Sequence, residues 1–535
     1  MAAAARAARR AAARRAPPLL RQLPLRPPLR ARHGAPALEP RMSAPRIAAA
    51  IVTMNKKDAV LALLARLRDD GIPACVTTNA CTDGTPGAIR AAYPAVRVLD
   101  SDVNLGGTGG FNCAVLAALE TGAPYVALVD DDALPEPGCL SKLADFLDAH
   151  PDCVWAAPAI HIASRPELVQ ECGGDVRFDR EVAVEAWYRY HRNEGLRTRT
   201  DVGYASACTL VVRADRIRDV GVMDWIFFLF YDDVDWTLRL RGERFRGACI
   251  PSVRSLHDYP WAKPLALTRL YYFHRNGLLL LARWRPRERT LRSLRGPLAR
   301  LVRDALQSAA AGDHELGATL VAALRDAWTR RYGPWQSVHQ FPEHRRRIDA
   351  AAFRSAGHAR VLVNIRNEQL LPEIVASLRA LGGDALAIDA IGDPGRMEAL
   401  RDTHLFRETF ARDLRRRALL AQLATLRRRR YDLVVTDTAI EPRNAFDAVG
   451  RAAAFFHAGE LYEAAHRPWR LVAGNFLAPT LGKIAAWALV WRLAARPPLG
   501  EVPDAARALL ARAGIPVPDQ RGAAAAAHFA ASTSS

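Results

Sequence analysis

The sequence predicts an α/β protein: a mixed, mostly parallel sheet flanked by helices, then a helical segment and a second, smaller α/β domain. Three observations predict it. From Ile47 short apolar runs alternate with helix-period segments; the buried-type run YVALV ends directly in Asp130, Asp131 and Asp132; and the alternation resumes near His358. Strands alternating with helices specify a sheet covered on both faces, and such a sheet binds ligands at the carboxyl ends of its strands.

The elements follow in order. IAAAIVTM is the first strand, followed by a helix from about Asp58 to Asp70, the strand ACVTTN, a helix near Ala88 and the strand VRVLD. NLGGTGG leads into a helix from Phe111 to Glu120, then YVALV. After Asp152 the pattern loosens into shorter strands and polar loops. It recovers at ACTLVVRAD (207–215) and reaches FFLFYDDVDWTLRLRGERF, where an apolar run yields to a helix. Residues 264–284 predict a Leu- and aromatic-rich helix. Beyond it, Arg-rich amphipathic helices with breaks at Gly296-Pro297 and Gly333-Pro334 read as a connecting or membrane-facing layer. The second unit shows the strand ARVLVNI, a helix from Leu371 to Leu381, the strand ALAIDAI and later YDLVVTD. It has no GxGxxG or Walker loop, so it is assigned no chemistry. Residues 471–491 are apolar but carry Asn475, Pro479, Gly482 and Lys483. A span needs about 20 predominantly apolar residues, so a buried or interfacial helix is expected.

These readings divide the chain into a disordered Arg-rich tail at 1–41, a first domain at 42–285, a helical connector at 286–357, an α/β domain at 358–500 and an Ala-rich tail at 501–535. The length of 535 residues and the 50% hydrophobic content exclude wholesale disorder and a single compact domain. The formal charge of +19 points less to a polyanion partner than it first suggests. Only five of the 75 basic residues are Lys, and residues 1–41 hold ten Arg against one acid, Glu39. That segment reads as a basic arm or as leader sequence ahead of a start at Met42, and no specific nucleic-acid partner is expected. The eight Cys form no CxxC pair or zinc-spaced cluster and read as reduced thiols of a cytosolic protein.

Four segments carry chemistry. In VALVDDDALPEPG, side chains alternate along the strand, so Asp130 and Asp132 face one side and form a hard oxygen site suited to Mg²⁺ or Mn²⁺; turn and cap aspartates are the competing reading. In FYDDVDWTLR, Asp232, Asp233 and Asp235 stand at a helix start. Capping and an Asp235–Arg239 pair account for some of them, while the apolar approach FFLFY would raise one carboxylate toward a proton-accepting role. NLGGTGGF (104–111) would let backbone approach a sugar nucleotide, or simply form a turn. His257 would complete an Asp, Asp, His metal set, against the more ordinary role of a structural histidine.

Taken in order, VTMN at 52–55, NACTDGT at 79–85, NLGGTGGF, VDDDA at 129–133, FFLFYDDVDWTLR, His257 and YYFHRN at 271–276 resemble family-2 glycosyltransferases of the GT-A, Rossmann-like fold, nearest the galactofuranosyl- and rhamnosyltransferase branch. The resemblance covers about residues 45–285. It implies that Asp130, Asp132 and His257 ligate Mn²⁺ or Mg²⁺ and that Asp233 is the general base, with Asp232 and Asp235 shaping its surroundings on the acceptor side. Thr53, Asn79, Asn104, Gly106, Gly107 and Asp131 would line the donor site. A UDP-sugar donor is favoured; Thr78 stands where the family usually has an acid that contacts the base, which leaves a dTDP-sugar as the alternative. The implied activity is inverting, metal-dependent transfer to a glycan or lipid-linked acceptor in cell-envelope polysaccharide biosynthesis at the inner face of a bacterial membrane, and the Arg-rich helices from 285 point to peripheral contact with anionic lipid. The competing readings are a catalytically inactive GT-A-like scaffold on anionic lipid or nucleic acid, and a sugar nucleotidyltransferase.

Overall fold

In a computed structural model, residues 44–517 are described apart from 179–182, 187–194, 259–265, 285–286, 336–344, 367–369, 401–404, 414, 438–442, 458–459, 494–496 and 498. The tail at 1–41 and residues beyond 517 lie outside them. The first domain contains β1 (Ile47–Thr53), α1 (Lys57–Asp69), β2 (Ala74–Asn79), α2 (Thr85–Ala92), β3 (Arg97–Ser101), α3 (Gly106–Leu119) and β4 (Tyr125–Asp130). It continues with β5 (Ala133–Pro135), α4 (Cys139–Ala149), β6 (Cys153–Ile162), β7 (Arg165–Glu171), β8 (Gly174–Arg177), β9 (Ala183–Ala186), β10 (Thr209–Arg213), α5 (Ala214–Val220), α6 (Asp232–Arg241) and β11 (Arg246–His257).

The sheet order is β3-β2-β1-β4-β10-β6-β11-β5, with β7 on β6. Strands β1 to β4 are parallel, β10 runs antiparallel between β4 and β6, and β5 returns antiparallel along β11. This is the mixed, helix-flanked sheet the sequence predicts. Buried apolar residues form a core on each face, one around Val126, Leu128, Leu210 and Val212 and the other around Ala127, Val129, Leu140 and Val211. The chain leaves β1 toward β2 and later returns to β4 on its other side. The carboxyl ends of β1 and β4 therefore open a crevice at the switch point, where Val52 pairs with Asp130.

Helices α7 (Leu267–Trp284), α8 (Arg287–Ala311) and α9 (His314–Thr329) form the connecting layer. The break expected at Gly296-Pro297 is corrected: α8 runs through Pro297. Burial of Leu294, Leu298 and Leu301 among neighbouring helices holds it together where local propensity would end it. The other expected break holds, since α9 stops at Thr329 and Gly333 adopts φ 103°.

The second α/β unit contains α10 (Ala350–Ser355), β12 (Arg360–Asn364), α11 (Leu371–Gly382), β13 (Ala387–Gly392), α12 (Pro394–Leu400), β14 (Thr409–Ala411), α13 (Arg416–Arg428), β15 (Leu433–Thr436), β16 (Ala452–His457) and β17 (Glu460–Ala464). Its order is β14-β13-β12-β15-β16-β17, parallel except for β17. Helix α14 (Pro468–Leu493) then packs on the connecting layer. Among the described residues no helix is long and apolar enough to cross a membrane.

The tail expected from 501 is also corrected. Residues Asp504–Arg512 form α15, and Val502, Ala506, Leu509, Leu510 and Ile515 join the core of the first domain. The amphipathic spacing of these residues supplies the reason, and Arg97 fixes the contact by donating to the Ala513 carbonyl at 2.8 Å.

A Cβ placed on Gly482 of α14 would lie 2.4 Å from the Ala299 carbonyl oxygen. Gly482→Val should therefore lower stability by ~1–3 kcal/mol through overpacking, read as a reduced denaturation midpoint.

Candidate functional site

The three carboxylates lie where β4 ends beside β1. Their charge is met by two cations: Lys56, just after β1, and His257, at the end of β11. The Lys56 ammonium bonds Asp132 and lies 3.5 Å from Asp131 Oδ1, while His257 Nε2 lies 3.2 Å from Asp132 Oδ1. The β5–β11 pairing sets Ala133 opposite His257, which places the Asp turn against the imidazole. Gln170 Oε1 holds His257 Nδ1 at 2.8 Å.

Burial raises the Asp130 carboxyl to about 7. Burial also pushes Asp132 upward, but His257 and Lys56 outweigh it and hold that carboxyl below the usual range. Burial works against the His257 cation, yet its contacts with Cys208, Asp132 and Asp130 carry the imidazole up to about 12. Asp131 is raised, by burial above all, although Lys56 and Thr53 favour its charge. The turn is thus an acidic centre that demands positive charge.

Ligand atoms of Asp130, Cys208 and His257 lie within 4.8 Å of one another, and Asp132 is bonded to the same imidazole. Carboxylate oxygens and an imidazole fit Mg²⁺ or Mn²⁺. Cys208 fits poorly: its buried thiol is pushed up to about 11, and a neutral sulfur is a weak partner for a hard cation. The sequence reading missed Cys208, Lys56 and Gln170. Only the two lysines following VTMN offered a signal, and nothing in the sequence placed Cys208 or Gln170 here.

Residues 207–208 join the second acidic set to the first. Asp233 Oδ2 accepts from the Ala207 amide at 3.3 Å, one residue from the Cys208 thiol. Its Oδ1 accepts from the Val234 amide at 2.8 Å. Burial first, then the adjacent Asp232, raises the Asp233 carboxyl well above the ordinary range. Asp232 accepts from Thr108 Oγ1 at 2.6 Å and is likewise raised, mainly by burial.

Asp235 has a different place. It is fully buried, accepts from Arg239 Nε at 2.8 Å and Trp284 Nε1 at 2.9 Å, and lies 3.1 Å from Arg283. Despite burial, Arg283 and Arg239 hold its carboxyl below the usual range. Asp235, expected to shape the surroundings of Asp233, has no exposed surface and fastens α6 to α7 through Arg283 and Trp284.

The donor-side residues divide. Asn79 donates to Asn104 Oδ1 and the Gly106 carbonyl, both at 3.1 Å, and accepts from the Leu105 amide at 2.7 Å. Asn104 accepts from the Gly106 amide at 2.8 Å. These two asparagines shape the turn before α3. Gly106 adopts φ 73°, and a Cβ there would lie 2.2 Å from the Phe228 carbonyl oxygen. Gly107 has the Leu229 side chain nearby, 3.5 Å from where its Cβ would be. Gly106 gives the Phe228 backbone room to approach, where the sequence suggests backbone contact with a nucleotide, whereas a side chain at Gly107 would meet Leu229 only at ordinary contact distance. Thr53 and Asp131 remain on the crevice, with Asp131 accepting from the Met54 amide.

The segment before Asp232 is strained. Phe228, Phe230 and Tyr231 adopt φ of 65°, 65° and 64°, unusual for bulky residues. Two fully buried side chains of α7 hold it. Arg275 Nη2 donates to the Ile226 and Phe227 carbonyls at 2.8 Å, and Asn276 Nδ2 donates to Phe227, Leu229 and Phe230 at 2.9, 2.6 and 3.0 Å. YYFHRN signalled this pair without revealing what it does. Asn276→Ala should take the donor from the Leu229 and Phe230 carbonyls, while the Phe227 carbonyl keeps Arg275, and should cost ~1–3 kcal/mol. The expected readout is a lower melting temperature with donor affinity changed little.

Residues 49–220 match the family model described as glycosyl transferase family 2. The chain is 26% identical over 215 residues to the N-acetylglucosaminyl-diphospho-decaprenol L-rhamnosyltransferase of Mycobacterium tuberculosis, covering 37% of this chain and 70% of that protein. Among solved structures, residues 1–349 of S. aureus TarS are 15% identical with a TM-score of 0.35, covering 53% of this chain and 80% of that one. HddC from Yersinia pseudotuberculosis is 14% identical with a TM-score of 0.27, covering 40% and 95%.

Proposed function

We propose that the family-2 glycosyltransferase domain of this chain catalyses inverting transfer of a sugar from a nucleoside-diphosphate donor, a UDP-sugar first and a dTDP-sugar second, to a hydroxyl of a lipid-linked or glycan acceptor. The observation that carries the reading is the meeting of two acidic sets at residues 207–208, one beside His257 and the other ending in Asp233. The rhamnosyltransferase relative, whose name specifies a decaprenol-linked acceptor, supports the acceptor class.

In this reading Asp130, Asp132 and the imidazole of His257, once it gives up its proton, would hold Mn²⁺ or Mg²⁺, which would offset negative charge on the donor diphosphate. Thr53 and Asp131 line the donor side. Asp233 takes the proton from the acceptor hydroxyl as its oxygen attacks the anomeric carbon and the nucleoside diphosphate leaves from the opposite face. One displacement inverts the configuration. Asp232, held by Thr108, raises the proton affinity of Asp233 by like charge. Lys56 bonds the same carboxylate that a metal would use, so the two cations compete for Asp132.

Asp233→Asn and Asp130→Ala should each lower product formation by ~10²-fold or more, measured across a panel of sugar nucleotides. Near-normal transfer by both variants would sink the assignment. Chelation with EDTA should abolish turnover and added Mn²⁺ restore it; turnover indifferent to EDTA would leave Lys56 as the balancing cation and remove the metal from the proposal.

The base must be unprotonated to act. With Asp233 raised, kcat/KM should fall as pH drops through its elevated pKa, giving an acid limb above the ordinary carboxylate value of ~4. A limb at or below that value would show that Asp233 is not the base.

A further inference from the structure

Helix α14 turns its small residues inward. Leu471, Ala478, Gly482, Ala486, Val490 and Leu493 are buried, and the last three of these share a cluster with Leu278 and Leu281 of α7 and Leu294 of α8. Asn475 accepts from Gln307 Nε2 at 2.7 Å. The opposite face has no partner among the described residues. Trp469, Leu477, Leu481, Ile484, Trp487 and Trp491 are 70, 60, 48, 63, 63 and 62% exposed. At 3.6 residues per turn these six lie within an arc of about 120°. Single exposed apolar residues are ordinary on a protein surface, but a continuous stripe with three tryptophans marks an interaction face.

The charge on the helix selects the occupant. Its 26 residues include no Asp or Glu, and its charged residues are Arg470, Lys483 and Arg492, all exposed. A second copy docking helix to helix would bring these like charges together with no carboxylate on α14 to meet them. An anionic lipid surface offers the complementary charge, an apolar layer for leucine and isoleucine, and the headgroup zone that tryptophan favours. The buried inner face leaves the helix no way to span, so it lies along the surface.

We propose that the outer face of α14 docks this chain on an anionic bilayer, with the tryptophans at headgroup level. The surface rests for its purpose on the reading of a lipid-linked acceptor. The inner face packs against α7, whose Arg275 and Asn276 hold the segment leading to Asp233, so docking and the base share one helix.

The test is flotation of the full chain with vesicles of phosphatidylcholine alone and of phosphatidylcholine with one third phosphatidylglycerol. The wild-type chain should float with the mixed vesicles and its tryptophan emission should shift to the blue, while Trp487→Glu with Trp491→Glu should reduce binding by about tenfold or more. Trp487→Ser with Trp491→Ser reads the same loss should the charged pair not fold. Equal flotation of wild type and variants, or no flotation of the wild type, overturns the proposal. A wild-type dimer in light scattering that the variants dissociate, without vesicle binding, assigns the face to a second copy and overturns it too. Sugar-nucleotide hydrolysis without acceptor or lipid separates the two readings: variants that hydrolyse donor normally but fail to float support docking, and wild type that floats without hydrolysing any donor leaves docking standing while the enzyme reading fails.

Discussion

Backbone carbonyls between Ile226 and Phe230 point at two buried side chains, and the second acidic set is held in place through that contact. Phe228, Phe230 and Tyr231 sit in left-handed conformations that cost of order 1–3 kcal/mol each. Arg275 and Asn276 offset the strain by supplying donors to carbonyls that the turn leaves without regular partners. On the other side, Gly106 gives Phe228 room, and the Thr108 amide donates to the Phe228 carbonyl. Asp232 and Asp233 thus begin α6 between two fixed walls. Directly behind them Asp235 is locked by Arg239 and Arg283, so the helix has little freedom to turn its acidic end away.

Charge balance governs the other half of the crevice. Three consecutive carboxylates at a strand end repel one another, and desolvation adds to the cost of ionising them. Lys56 and His257 answer this from different strands, and Gln170 orients the imidazole. Arg283 performs a related task in the core, bridging Asp224 and Asp235, while Asp224 also accepts from the Gly500 amide. The aspartates of these two sets are therefore sorted by partner: Asp235, bound by guanidinium groups, is structural, while Asp131, Asp132, Asp232 and Asp233 are held by other donors.

Much of this was legible in the sequence, because apolar periodicity reports the strands and the acidic turns interrupt it visibly. The ends of β1 to β4 and the turn at 130–132 followed from pattern alone, and the order of the motifs brought His257 and Asp233 into the same group. Gln170 and Cys208 were not legible, since they reach the site by strand pairing rather than spacing, and Lys56 was marked only by its place after VTMN. Gly106 showed the opposite limit: the sequence revealed a glycine-rich turn, but only the fold revealed that its close neighbour is the Phe228 backbone. Local rules failed at Pro297, where packing on both sides keeps α8 continuous. They failed again at α15, whose short amphipathic pattern lies in Ala-rich sequence.

The docking of α15 gives the chain an order of completion. Val502, Ala506, Leu509, Leu510 and Ile515 fill the same core as Val126 and Leu210, although the connecting helices and a whole second sheet intervene in sequence. The first domain is therefore assembled from both ends of the described chain, with the rest of the molecule inserted between. During synthesis its apolar centre stays incomplete until the ribosome has passed residue 515, so premature termination in the second half injures the first.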